Sequence, residues 1–434
     1  VTNAAKVSHL RNIYVLAFAA TSTCLQGYPL MKLHRQLLTA AVAAALFVPA
    51  AHAEVAIDVI GGSEISFEGL VQADGNWFHN DIQDLNGATG TMNGKNSEFE
   101  LRRAELVLKG KGPGNIEWVV GYDAKADKFL DTNLKYKLSG NSSHFLQFGQ
   151  FKQPNSLEEL SSTKNNDFIS KATVTNTYAV ARRLGVGYGV GDSNWSLNAS
   201  AFGRELTRNL AHGSGYGVRG TFAPINEKGN ILHFGLSYAD YDTDADTLRL
   251  RARPNADLAT VRLVDSGDMK DTDRIGTLGA EAMYITGPFK AQAEYYNAKV
   301  KRYNHDNYTS DGYYVSGLWN VTGETWGYKG GTPSLGGPAE PSSGMWQLGA
   351  RFDHIDLNDG GLRAPAVAGG APLVDGVLGG KMDIWTVGAN WYWRSNFKAS
   401  LNYVMVDSNK YVAKDKKYVS DKPNILEARL QFFW

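Results

Sequence analysis

Cysteine is all but missing from this 434-residue chain: Cys24 stands alone. A single thiol excludes an intramolecular disulfide and any thiolate metal cluster. Acidic residues are missing altogether from residues 1–53, whose formal charges are Lys6, Arg11, Lys32 and Arg35. His144, His233 and His354 lie far apart, without metal-ligand spacing. Long apolar runs are missing too. The longest run, within residues 37–51, is shorter than a permanent bilayer-spanning helix requires.

That run belongs to an expected export signal. Met31 opens a short basic head, the apolar stretch follows, and Ala51-His52-Ala53 supplies the small-x-small triplet of a leader cleaved before Glu54. Residues 1–30 are expected to be an upstream extension from a start assigned too early, residues 31–53 the signal peptide, and 54–434 one mature domain. The whole chain balances 44 basic against 44 acidic residues. Without the four bases of residues 1–53 the mature part is net acidic, and it has no cysteine, as suits a chain that crosses an oxidising compartment.

In the mature part, apolar residues alternate with polar ones. Ile65, Phe67, Val71, Ala73 and Trp77 share one face, while Ser66, Glu68, Leu70, Gln72, Asp74 and Asn76 share the other. Ile116, Trp118, Val120 and Tyr122 oppose Glu117 and Asp123 in the same way. Sixteen such segments are expected, near 65–78, 98–109, 115–127, 130–138, 144–152, 182–191, 194–204, 215–223, 231–242, 276–286, 289–302, 311–322, 344–357, 382–394, 397–408 and 424–434. About ten residues is the length of a tilted membrane strand.

The joins sort by parity. Even-to-odd joins are tight and odd-to-even joins mostly long, as with short periplasmic turns and long outer loops. The join from Gly323 to Ser343 breaks the rule. Aromatics such as Trp77, Trp195, Trp319, Trp346, Trp391 and Trp393 sit at strand ends, where interfacial girdles use them. The expectation is an all-β, 16-stranded antiparallel transmembrane β-barrel in a bacterial outer membrane. Ile425 to Trp434, ending on an aromatic, is the expected closing strand, pairing back to 65–78.

Basic residues recur at lumen-facing parity: Lys135, Lys137, Arg183, Arg204, Arg219, Lys290 and Arg351. Apolar parity flips across Arg102-Arg103, so a β-bulge there is expected to turn both guanidiniums inward, where their forks suit phosphate or carboxylate oxygens. The third outer loop, Gln153 to about Ala181, carries Leu157 and Leu160, which are placed to pin it inside the barrel. Left outside, its Phe168, Ile169 and Tyr178 would be wet. Gly191-Asp192-Ser193-Asn194 echoes an esterase motif but sits in a tight turn, so no catalysis is expected.

Four blocks, E-L-R-R-A-E-L (100–106), F-G-Q-F-K-Q-P-N-S-L-E-E-L (148–160), V-R-G-T-F-A-P-I-N-E-K-G-N-I-L-H-F-G (218–235) and G-P-F-K-A-Q-A-E-Y (287–295), resemble the phosphate- and polyphosphate-selective porin O and porin P family. The resemblance implies a homotrimer of sixteen-stranded barrels in outer-membrane lipid, passive anion transport without a cofactor, and no nucleic-acid partner. It also implies a constriction formed by the third loop, here around Leu157, Glu158 and Glu159.

Arg102 and Arg103 match paired ladder arginines, and Lys164 matches a lysine late in the third loop. Lys171 stands where the family has an arginine; Arg251 and Arg253 resemble arginines of the fifth loop, and Lys329 a basic residue of the long inner join. Leu70 stands where porin P has a ladder arginine and Glu159 where it has a constriction lysine. Two readings from other directions remain: a weakly selective porin for other small solutes, and a plugged structural or adhesin barrel.

Overall fold

The computed structural model describes residues 55–59, 63–87, 96–138, 143–207, 213–366, 370 and 372–434, all in one compact unit, His52–Trp434. The expected leader and upstream extension lie outside the described residues. Sixteen strands form the wall: β1 Ser63–His79, β2 Ser97–Gly112, β3 Ile116–Asp123, β4 Lys128–Lys137, β5 Phe145–Lys152, β6 Arg182–Gly191, β7 Trp195–Phe202 and β8 Gly215–Glu227, then β9 Asn230–Asp242, β10 Thr272–Thr286, β11 Phe289–Arg302, β12 Tyr308–Asn320, β13 Met345–Arg363, β14 Leu373–Trp393, β15 Phe397–Val412 and β16 Asn424–Phe433. Each pairs antiparallel with its neighbour in the chain, and β16 pairs with β1 from Leu70↔Phe433 to His79↔Asn424, which closes the sheet into a barrel.

Alternation sets the two faces, and the barrel is inside-out relative to a soluble protein. Leu236, Phe99, Leu430, Trp385 and Val315 are exposed on the outer wall, whereas Gln72, Asn76, Glu427, Arg351 and Arg219 are buried on the inner one. Only a closed barrel satisfies every backbone group of such strands in lipid. Tight inner turns are built by residues that tolerate left-handed backbone: Gly114 and Asn115, between β2 and β3, sit at φ 78 and 64.

Strand ends depart from the alternation where side chains close turns. The third segment, expected to reach 127, stops at Asp123, whose carboxylate accepts from the N–H groups of Ala104, Lys125 and Ala126. Arg204, expected on the seventh strand, lies beyond Phe202 and is exposed. β14 begins at Leu373 rather than 382, because it extends alongside the long β13 in a hairpin that reaches Arg363↔Leu373.

Among the described residues, two long outer loops fold into the barrel, and Leu85 of the first outer loop joins their core. Loop L3 (153–181) carries the short helices Leu157–Leu160 and Thr173–Tyr178, and L5 (243–271) carries only two-residue strand fragments and one 3-10 turn. Ala172, Val174 and Tyr178 of L3 and Leu250, Ala256, Leu263 and Val264 of L5 form one core with Val300, Ile355, Leu357, Ile384, Val404 and Val406 on the inner wall. The outer ends of β11 to β15 are thus apolar on their inner face because protein, not water, covers them. A second core near the inner rim joins Leu157 to Ile231, Met283, Ile285, Leu318 and Trp326.

Trp326 comes from the join that breaks the parity rule. Within residues 321–344 a hairpin pairs Trp326–Lys329 with Thr332–Leu335. Its Gly331 carbonyl accepts from Arg219, and the Tyr328 hydroxyl meets His233 Nδ1 at 2.6 Å. The join is long because it doubles back against the inner wall, a role that strand spacing does not reveal.

Candidate functional site: a charged path along β1 to β5

With L3 held against β11 to β16, open space is left along the opposite wall. A cavity of ≈ 260 Å³ lies between L3 and β1 to β6, lined by Glu68, Glu105, Lys109, Asp131, Lys152, Lys164 and Arg182. A second, of ≈ 470 Å³, is lined by Glu64, Lys111, Glu117, Lys135 and Lys329 and shares Lys109 and Asp131 with the first.

L3 is pinned along its whole length. At its start, the Ser156 hydroxyl and the N–H groups of Leu157 and Glu158 all donate to the Glu294 carboxylate, at 3.0, 3.0 and 2.7 Å. Further on, Lys290 holds Asp167 at 2.7 Å, Lys398 donates to the Asn166 carbonyl at 2.6 Å and Arg429 to the Ile169 carbonyl at 2.8 Å. Phe168, Ile169 and Tyr178 are buried as a consequence.

The bulge expected at the paired arginines is present. Gln72 pairs with Arg103 and the next residue, Ala73, with Leu101, so Arg102 is the extra residue and both side chains reach the lumen. Arg102 donates to Asp257 of L5 through Nε at 3.1 Å and Nη2 at 3.0 Å, and Arg103 pairs with Glu105 at 2.8 Å. Burial raises the Asp257 carboxyl, but Arg102 and Arg429 outweigh it and hold the group below the usual carboxylate range.

Leu157 is buried in the inner core. The Glu158 carboxylate accepts from the Ala172 N–H at 3.0 Å and from Arg351 at 3.4 Å. Glu159 is paired with Lys171 and with Lys152. Burial pushes its carboxyl up, yet these two lysines outweigh burial and hold it at about 2. Lys164 stands over the Phe433 ring at 5.6 Å and borders the smaller cavity, and Lys329 borders the larger one.

Arg219 stands apart from this path. It is 1 % exposed and bound to Glu281, by Nε at 3.0 Å and Nη2 at 2.5 Å, so its charge holds the wall and the inner join together. Arg251 and Arg253 are exposed on L5, where the Arg253 Nε donates to the Ala259 carbonyl at 2.7 Å. Arg262, which the sequence reading missed, completes this outer cluster. Burial, with Arg253 and Arg251 beside it, lowers its guanidinium to about 10.

Lys152 and Arg182 were missed as well. Lys152 shares its parity with the outward Phe148, but Gly149 between them sits at φ 117 and breaks the alternation. A glycine inside an otherwise regular strand is the sequence signal that could have revealed it.

The carboxylates of the path are matched one by one: Glu68 with Lys109 at 2.6 Å, Glu64 with Lys111 at 3.7 Å, Glu117 with Lys137 at 2.5 Å and Asp131 with Arg182 at 2.9 Å. Among the described residues Arg251, Arg253, Arg262, Lys135, Lys164 and Lys329 have no such carboxylate partner.

A closed sixteen-stranded barrel with an apolar outer wall, an inward loop and a charged lumen defines a transmembrane channel of the porin class. The description "phosphate-selective porin O and P" matches residues 71–434. The chain belongs to that family and is an outer-membrane porin. It is 26% identical over 356 residues to Porin O of Pseudomonas aeruginosa, covering 74% of this chain and 79% of that one. It is 27% identical over 332 residues to an uncharacterised protein of Caulobacter vibrioides, covering 71% of this chain and 62% of that relative's length. Among solved structures, OmpT, an outer membrane protein of Vibrio cholerae, shares the fold with a TM-score of 0.54 at 12% identity, covering 87% of this chain and 99% of that one.

Proposed function

We propose that this porin passes anions by passive diffusion, with phosphate-type anions as its solute class. The observation that carries the reading is the imbalance along the open path: its carboxylates are neutralised in pairs, while cations without carboxylate partners line its cavities and cluster on L5. Lys164 borders the smaller cavity, Lys135 and Lys329 border the larger, and Arg251, Arg253 and Arg262 cluster on L5. Unscreened positive charge between low-dielectric walls concentrates anions. Relatedness to Porin O supports the same class of solute. Weak selectivity among anions is the second reading, favoured by Leu70, an apolar side chain where the smaller cavity is lined on β1.

The working form, in this proposal, is a homotrimer of barrels in outer-membrane lipid, exported by residues 31–53 with cleavage before Glu54. The greasy outer wall supports the lipid contact.

The test is the reversal potential of reconstituted channels under a potassium chloride gradient, with phosphate then titrated in. The unsubstituted protein is expected to favour chloride over potassium and to show phosphate interfering with chloride current. Arg102→Ala with Arg103→Ala strips the ion-pair partners from Asp257 and Glu105, leaving two carboxylates less compensated. The anion-to-cation permeability ratio is expected to fall several-fold. An unaltered reversal potential would show that neither guanidinium contributes to the field the permeating ion feels.

A further inference from the structure

Two ammonium groups converge on one carboxylate at the narrowing. Lys152 reaches it from the end of β5 and Lys171 from the far side of L3, and between them sits the side chain of Glu159, 8 % exposed. Lys152 also donates to the carbonyls of Glu159 and, at 3.4 Å, Ser161. Its position is therefore held by the loop backbone and does not depend on the carboxylate. Lys171 is fixed by its place at the start of the Thr173–Tyr178 helix, whose first turn is anchored by the Thr173 N–H on Asp353 at 2.9 Å. Two preorganised cations around one small set of oxygens is the arrangement a protein builds for a bound anion. Here the oxygens belong to the chain.

The geometry points to Glu159 as a tethered anion that fills the constriction's own anion site, so that solute anions pass the narrowing without binding tightly. This deepens the anion-channel reading and rests on it. The ≈ 260 Å³ cavity abuts the site through Lys152, Leu160, Ser161 and Lys164, which gives a solute access to the two ammonium groups once the carboxylate is removed. A conducting pore needs sites weak enough to release what they attract. An internal counter-ion between Lys152 and Lys171 cancels positive charge at the narrowing and lowers residence time there. The two lysines keep the group ionised at ordinary pH, so substitution is the way to empty the site.

The experiment uses the full-length protein reconstituted in planar bilayers, with inorganic phosphate as the probe of chloride current. Glu159→Ala vacates the site between the two lysines, and the half-blocking phosphate concentration is expected to drop by about tenfold or more. Adding Lys171→Met to that variant is expected to return the block to the unsubstituted level. Glu159→Gln keeps the volume and removes the charge. It is expected to tighten block less than alanine does, and it carries the test if the alanine variant does not assemble.

Block unchanged in both Glu159 variants overturns the inference and leaves the pair as a brace of L3. Block that tightens and survives Lys171→Met overturns it too, since the gain then arises elsewhere. If the unsubstituted channel instead prefers potassium, it is the anion-channel reading that fails, and this outcome is read from the reversal potential independently of the variants.

Discussion

Glu294→Ala is expected to release L3 and enlarge the pore, raising single-channel conductance several-fold and making the open current noisy. The carboxylate is 2 % exposed and accepts five hydrogen bonds. Three come from Ser156, Leu157 and Glu158 at the start of L3, and two from the hydroxyls of Tyr296 and Tyr314 on the wall, both at 2.8 Å. Each buried donor left without its acceptor costs about 1–3 kcal/mol. The loop donors recover that cost only by moving to water in the lumen. Because Leu157 sits in the inner core beside Trp326, displacement of this turn opens the narrowing rather than merely loosening its edge. Anion preference should fall as well, since Lys164 and Lys171 travel with the loop. Glu294→Gln retains an acceptor oxygen and is expected to lie between the two. Conductance and noise equal to those of the unsubstituted channel would show that the remaining anchors, Lys290, Lys398 and Arg429, suffice to hold L3.

The second large effect is on stability. Arg219→Met leaves Glu281 buried beside His233 without its guanidinium, and breaking a buried pair in this way costs about 3–5 kcal/mol. The same substitution removes the donor to the Gly331 carbonyl, one polar tie at the tip of the inner join; a second, Tyr328 to His233, depends in turn on His233 meeting Glu281 at 2.8 Å. The temperature at which the barrel loses its compact mobility on a gel is therefore expected to fall markedly. The join should become cleavable by trypsin at Lys329 from the periplasmic side. Adding Glu281→Gln removes the orphaned charge and is expected to restore part of the thermal stability without restoring protection of the join. A barrel that melts as before would place the stability of this region in the Trp326 core alone.

Much of this architecture is readable from the residue order. The period of two marks the strands. β6 and β11 match their expected bounds residue for residue; the tight turn at Gly191 ends the first and that at Gly287-Pro288 opens the second. The parity flip at Arg102-Arg103 marked the bulge, since an extra residue must reverse every later side chain. Wet Phe168, Ile169 and Tyr178 were reason enough to fold L3 inward.

Other features were illegible for physical reasons. Alternation is a rule about one strand, so it could not foresee that Gly149 turns Lys152 inward. It also could not foresee that apolar inner positions such as Ile355, Leu357 and Val404 are covered by L3 and L5. The charge of Arg219 was visible, but not that Glu281, 62 residues on, would claim it.

By itself the sequence determined the closed barrel, its strand count, its inner and outer faces and the loop that enters it, because each follows from local period or from the cost of wetting apolar side chains. Only the tertiary structure decided which charges remain available to a solute. Pairing depends on distances between residues far apart in the chain: Glu159 with Lys152 and Lys171, Arg102 with Asp257, Arg219 with Glu281. A cation next to a carboxylate no longer attracts an anion as it would alone, and sequence records that a charge is present without recording what neutralises it.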